Sequence, residues 1–196
     1  MITDIFNMYF DGRKQTGFFK HYLTLFSVVQ GLEAKNTFEF GTGLSTAVIV
    51  DALRLTGGNH ISCDINDLSK TGLSSDFQHK NADIWTFYHE DSRGVHQYVD
   101  SPLDFVLHDG SHEGSVLKTD LDTILPHMKM NSYLMVHEVK HPQYGDELHD
   151  ATRSVLTSVD HEISILPYGY GLAIVRINED MGNGSVTQSW RKNKCI

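Results

Sequence analysis

A chain of 196 residues is long enough for one hydrophobic core and short for two, and 40% hydrophobic with 21% charged residues is the balance of a folded globular domain. No run of about 18 apolar residues is present to span a bilayer. The formal net charge of -9, from 25 acids against 16 bases, opposes affinity for nucleic acid or an anionic membrane, because tracking phosphates takes cations. The start, Met1-Ile-Thr-Asp-Ile-Phe, lacks the basic and apolar regions of a secretory signal, and Cys63 and Cys195 form neither a CxxC pair nor a disulfide framework, so a cytoplasmic protein is expected. Composition leaves the 12 histidines unexplained.

Met1 to Phe10 reads as a short helix or arm. From Thr16 to Leu32 the residues Phe19, Leu23, Phe26, Val29 and Leu32 recur at helical spacing and predict an amphipathic helix ending near Gly31. The chain then alternates. Phe38–Phe40 is a strand, Ser45–Leu55 a helix stopped by Gly57-Gly58, and His60–Asp64 a second strand. Asp83–Tyr88, Leu103–Leu107 and Ser132–Val136 are the next three strands, with helices at Ser92–Val99, Gly114–Leu125 and Asp146–Val159. Strands separated by helices imply parallel pairing through right-handed crossovers. The last two, Glu162–Leu166 and Leu172–Ile177, are joined by Pro-Tyr-Gly-Tyr-Gly, too short for a crossover, and must form an antiparallel hairpin. The expected fold is an α/β, Rossmann-like, doubly wound and mostly parallel seven-stranded sheet. An N-terminal helical segment (1–35), a main domain (36–178) and a tail (179–196) are expected.

Gly41-Thr42-Gly43-Leu44-Ser45-Thr46 joins the first strand to its helix, and its glycines let the backbone turn tightly and approach a ligand at the carboxyl end of the sheet. A dinucleotide fingerprint wants glycine at 46, where this chain has Thr. The pattern Glu39-x-Gly41-x-Gly43-x-Ser45 resembles motif I of the class I S-adenosylmethionine-dependent methyltransferases. The resemblance implies S-adenosylmethionine as cofactor, with Gly41, Thr42, Gly43 and Ser45 around it and Glu39 near its methionine end. It places Asp64 on the two ribose hydroxyls and Asp91 or Ser92 on the adenine edge. Read without it, Asp64 is a turn acid and Asp91-Ser92 a helix N-cap.

Leu103-Asp-Phe-Val-Leu-His-Asp109-Gly-Ser-His112 resembles the Asp-Gly-x-His element of methyltransferase family 24, a subgroup that includes cephalosporin-hydroxylase-like proteins, and is similar to the catechol type of O-methyltransferase. In those relatives the acid at this strand end binds a divalent metal and contacts the cofactor, and the residue three positions later is the general base. The resemblance gives these roles to Asp109 and His112. It adds His137 and Glu138, at the end of the fifth strand, as further ligands for magnesium, manganese or iron. A His and two carboxylates suit such an ion. Alternatively, His137-Glu138 stands for a His-Asp pair and no metal binds, and His112 supports the following helix.

The expected activity is methylation of a hydroxyl on a small molecule, with His112 taking the proton because imidazole titrates near neutrality. A metal-dependent hydroxylase-like protein, a non-catalytic cofactor-binding protein and a nicotinamide enzyme are the competing readings. His108, His141, Tyr144, Tyr168 and Tyr170 are expected near the pocket. The aromatic run Phe6, Tyr9, Phe10, Phe18 and Phe19 suits a cover over the substrate site, a homo-oligomer interface, or packing on the core.

Overall fold

The computed structural model describes residues 17–181. A 3-10 turn, Gly17–His21, leads into α1 (Tyr22–Gly31). The alternation then runs β1 (Asn36–Phe40), α2 (Leu44–Thr56), β2 (Asn59–Asp64), α3 (Ser75–Lys80), β3 (Trp85–His89), α4 (Ser92–Val95), β4 (Leu103–His108), α5 (Gly114–Ile124), β5 (Met128–His137) and α6 (Gly145–Leu156). It closes with β6 (His161–Leu166) and β7 (Leu172–Ile177). The seven strands stand in the order β3-β2-β1-β4-β5-β7-β6, with β7 antiparallel to both its neighbours. The predicted fold class and hairpin are therefore what the chain forms.

Strand alternation decides which helix each strand residue meets. Phe105 and Leu107 of β4 and Met135 of β5 pack with Leu25 and Val29 of α1 and with Val48, Ile49 and Leu53 of α2. Val106, Leu134 and Val136 face the opposite way, toward Leu117, Leu121 and Ile124 of α5 and Leu148 and Leu156 of α6. The same alternation sends Glu39 to the α2 side and His108 to the α5 side, both buried. The polar contacts they make there shape the site.

Two expectations change. The predicted helix from Thr16 to Leu32 opens, in its described part, as a 3-10 turn that runs directly into α1 and ends at Gly31, but its buried stripe is Phe18, Tyr22, Leu25 and Val29, while Leu23 is 44% exposed. Two apolar stripes overlap in this segment, and the sheet selects the one that carries Phe18. Between β2 and β3, where no element is predicted, the chain forms a 3-10 turn (Leu68–Lys70) and α3, each capped at its start by a side chain, Asp67 and Ser74. Met1–Phe10 and most of the predicted tail lie outside the described residues. Among the described residues no helix is long and apolar enough to cross a membrane.

Candidate functional site

The strand order reverses between β1 and β4, and the crevice at that switch point is where open α/β sheets take ligands. Gly41 enters it with φ +85, and a Cβ there would stand 2.3 Å from the backbone oxygen of Asp109. That neighbour is backbone and cannot swing aside. The junction is fixed on both flanks, since Gly41 N donates to Cys63 O and Asp109 N donates to Phe40 O, each at 2.9 Å. Gly41→Ala is therefore expected to destabilise the fold by more than the roughly 1–2 kcal/mol of left-handed strain alone. A melting temperature within a degree or two of wild type would show that the junction yields.

Beneath the loop lies Glu39, fully buried. Its carboxylate accepts from the Ser45 hydroxyl (2.5 Å) and the Thr46 hydroxyl (2.5 Å), and His60 Nε2 stands 3.2 Å from Oε2. Thr46 Oγ1 in turn accepts from Gly43 N at 3.0 Å. Glu39 thus ties strand, loop and the first turn of α2 together. Glu39 is closed off from the hollow by these three partners, one of which, Ser45, lines it.

Two hollows open on either side of this loop and share Gly41, Asp64 and Asp109. The first, about 450 Å³, runs over the ends of β2, β3 and β4 and is lined by Phe40, Ile65, Asp91, Ser92, Val116 and Asp120, among others. Asp64 stands at the partition. Its Oδ2 accepts from Thr42 N (3.0 Å) and its Oδ1 from Asn66 N (2.7 Å), which aims the carboxylate at the crevice. Asp91 caps α4, as its N-cap reading implied, and both its oxygens are taken by the Arg93 guanidinium at 2.5 and 2.7 Å. Arg93's hydrogen bonds hold the Asp91 carboxyl at about 2. Asp91 and Ser92 line the hollow, but the Asp91 carboxylate is exposed and already paired.

The second hollow, about 510 Å³, is lined by Phe18, Tyr22, Thr42, Gly43, Ser45, Lys70, His112, His137 and Glu138, with others. Phe18, of the predicted aromatic run, is buried in the core and lines this hollow: its ring meets the His137 ring edge-on at 4.6 Å. Phe6, Tyr9 and Phe10 lie outside the described residues. His137 is held at both nitrogens. Its Nε2–H donates to Gly169 O (2.9 Å), since a carbonyl only accepts, and Nδ1 lies 2.8 Å from Asp109 Oδ1. Burial opposes charge on the ring, yet the hydrogen bond and charge of Asp109 outweigh it and raise the pKa. His21 shares the same carbonyl at 3.3 Å, and its pKa is lowered by burial and then by the neighbouring His137. Gly169 sits in the hairpin tip, where Gly169, Tyr170 and Gly171 all have positive φ.

Glu138, at φ +63, lines the second hollow. Its Oε2 accepts from the Tyr144 hydroxyl (2.5 Å) and lies 2.9 Å from His112 Nε2. Burial and then the bond to Glu138 push the Tyr144 phenol up. The His112 and His141 rings both stack on Tyr144, at 4.7 and 3.9 Å. His112 is half exposed and faces the hollow.

The structure brings Asp109, His112, His137 and Glu138 to one edge of the sheet, but as two close His–carboxylate couples, His137 with Asp109 and His112 with Glu138. The expected convergence of Asp109, His137 and Glu138 on a metal is not formed in this structure: His137 is engaged by Asp109 and the Gly169 carbonyl, and Glu138 by Tyr144 and His112. Among the described residues no three His, Cys, Asp or Glu side chains are arranged to hold a metal ion. As they stand, these residues do not fit one.

His108 is absent from the hollows; it is buried against Asp120, with Nε2 3.1 Å from Oδ2. Asp120 itself was missed from the sequence. The available signal was its place on the buried stripe of α5, between Leu117, Leu121 and Ile124.

A family model described as a methyltransferase domain matches residues 38–139, just over half of the chain. A search of curated proteins returns no match. Among solved structures, an S-adenosylhomocysteine-bound methyltransferase of Podospora anserina is similar with a TM-score of 0.68 at 13% identity, over 81% of this chain and 78% of its own. An O-methyltransferase of Bacillus cereus in complex with S-adenosylhomocysteine is similar with a TM-score of 0.62 at 16% identity, over 81% of each chain. A methyltransferase of the mycinamycin biosynthetic pathway, in complex with magnesium and S-adenosylhomocysteine, gives 0.56 at 17% identity, over 94% of this chain and 54% of its own.

Proposed function

The chain belongs to the methyltransferase domain family and is a class I S-adenosylmethionine-dependent methyltransferase, and on that premise we propose that it methylates a hydroxyl of a small molecule, with His112 as the base. The observation that carries this reading is the 2.9 Å approach of His112 Nε2 to Glu138 Oε2 on the wall of the second hollow. A carboxylate oxygen at that distance selects the tautomer with its proton on Nε2, which leaves Nδ1 with the lone pair. Tyr144 stacks on the ring and donates to the same carboxylate, so both partners of His112 are themselves fixed.

In this reading the adenosine half of the cofactor lies in the first hollow, its ribose hydroxyls on Asp64, and its methionine half crosses the glycine loop into the second. The acceptor enters the second hollow, between Phe18 and His112. His112 Nδ1 takes the hydroxyl proton, the oxygen's electron pair forms the bond to the methyl carbon, and the C–S pair leaves on sulfur as a neutral thioether. In-line displacement demands that the oxygen be held against the methyl carbon, which the walls of this hollow supply. Asp109 lies at the junction of the hollows, and its hydrogen-bonded pairing with His137 at 2.8 Å matters. An unpaired carboxylate beside a sulfonium would stabilise the ground state, whose positive charge disperses in the transition state, and so slow transfer.

The acidic surface favours a small-molecule acceptor over nucleic acid, and a cytoplasmic setting remains the proposal from composition. No step here runs through a metal. The Asp64 role is tested by calorimetry with S-adenosylhomocysteine: Asp64→Ala is expected to weaken binding about 10- to 100-fold, as the loss of charge-assisted hydrogen bonds implies. Chelator is expected to change nothing. Unchanged affinity in the variant would remove Asp64 from the cofactor site, and a large chelator effect would restore the metal.

A further inference from the structure

The first hollow contains a carboxylate that no part of the reading above uses. Asp120 projects from the middle of α5 into the layer beneath the crevice and is fully buried. His108 Nε2 fixes one oxygen, Oδ2, at 3.1 Å. The other, Oδ1, is buried with no hydrogen-bond partner. Leaving a buried acceptor unpaired is costly, the more so for a carboxylate, and natural folds rarely do it without purpose. Asp120 lines the first hollow beside Phe40, Cys63 and Val116. A donor seated in that hollow is therefore the partner the geometry calls for.

The rest of the hollow describes that donor's carrier. Phe40 and Val116 are apolar walls, and Ile65, 73% exposed at the rim, is a large apolar side chain left in water until something flat covers it. A planar heterocycle bearing an amino group meets both demands. The acid expected to read such a group from the loop after β3, Asp91, has both oxygens on Arg93.

We propose that Asp120 reads the adenine ring of the cofactor, its Oδ1 accepting a hydrogen bond from the exocyclic amine, with His108 as the positioning residue that holds the carboxylate in place. This rests on the reading that the first hollow takes the adenosine half of S-adenosylmethionine. The consequence is selectivity. A ring with a carbonyl oxygen in place of the amine would set acceptor against acceptor and be rejected.

The test compares binding of S-adenosylhomocysteine and S-inosylhomocysteine, which differ in that one group, to wild type, Asp120→Asn and Asp91→Asn. Wild type is expected to prefer the adenine form by at least about tenfold. Asp120→Asn, whose amide can donate to a carbonyl, is expected to bring the two within about threefold, and Asp91→Asn to keep the preference. Equal binding of both ligands by wild type overturns the proposal, as does a preference that survives Asp120→Asn. If Asp120→Asn does not fold, Asp91→Asn decides: a preference kept there supports Asp120, and one lost there overturns it. Failure of wild type to bind S-adenosylhomocysteine at all would instead remove the cofactor reading on which the proposal stands.

Discussion

Replacing His112 with alanine is expected to lower kcat by about 10²- to 10⁴-fold, the usual contribution of a positioned general base, while S-adenosylhomocysteine binds within about twofold of wild type. The split follows from where the ring lies. His112 walls the second hollow and is absent from the lining of the first, where the adenosine half is read, and half of its side chain faces solvent. It supports little of the core, so folding should survive its loss. The measurement is turnover with any phenolic or sugar hydroxyl that wild type methylates, alongside the melting temperature. Glu138→Gln should give a smaller loss in kcat, because the amide retains an oxygen near Nε2 but no charge to hold its proton. Turnover of His112→Ala equal to wild type would move the base elsewhere, and a fall in cofactor affinity to match would make His112 a binding residue.

Much of this arrangement was legible in the sequence because it rests on local signals. The glycines at 41 and 43 and at 57 and 58 mark a turn into a helix and the end of it, and Pro-Tyr-Gly-Tyr-Gly is too short to be anything but a reversal. Asp109 and His112 came from one contiguous run, and a strand end fixes where such a run must stand. What stayed hidden depends on partners supplied from far along the chain. Nothing in His137-Glu138 tells that Gly169, 32 residues on, will bring a carbonyl to His137 Nε2 and engage that side of the ring. The choice of Phe18 over Phe19 as the buried aromatic was likewise made by the sheet. Asp120 is the intermediate case: a lone acid on an apolar stripe is visible, but its purpose emerges only with His108 and the hollow around it. Four of the 12 histidines resolve in the same way, since His21, His60, His108 and His137 are buried and each meets a carboxylate or a carbonyl.

The other large effect is expected at a residue buried beneath the loop. Glu39→Ala removes the acceptor of the Ser45 and Thr46 hydroxyls and the neighbour of His60 Nε2 in a site with no access to water. Breaking a buried ionic or charge-assisted cluster by deleting one member costs about 3–5 kcal/mol, because the remaining polar groups stay buried without partners. Urea unfolding should show that loss as a lower midpoint. Cofactor binding should fall too, since Thr46 holds Gly43 N and Thr42 N reaches Asp64, so the loop that presents Asp64 is anchored through Glu39. Glu39→Gln separates the two roles. Its amide oxygen can still accept one hydroxyl while its NH₂ confronts the other, so it should lie between alanine and wild type in stability. If its cofactor affinity tracks its stability across the three proteins, Glu39 acts by anchoring the loop; a Glu39→Gln protein as stable as wild type that no longer binds S-adenosylhomocysteine would make it a direct contact.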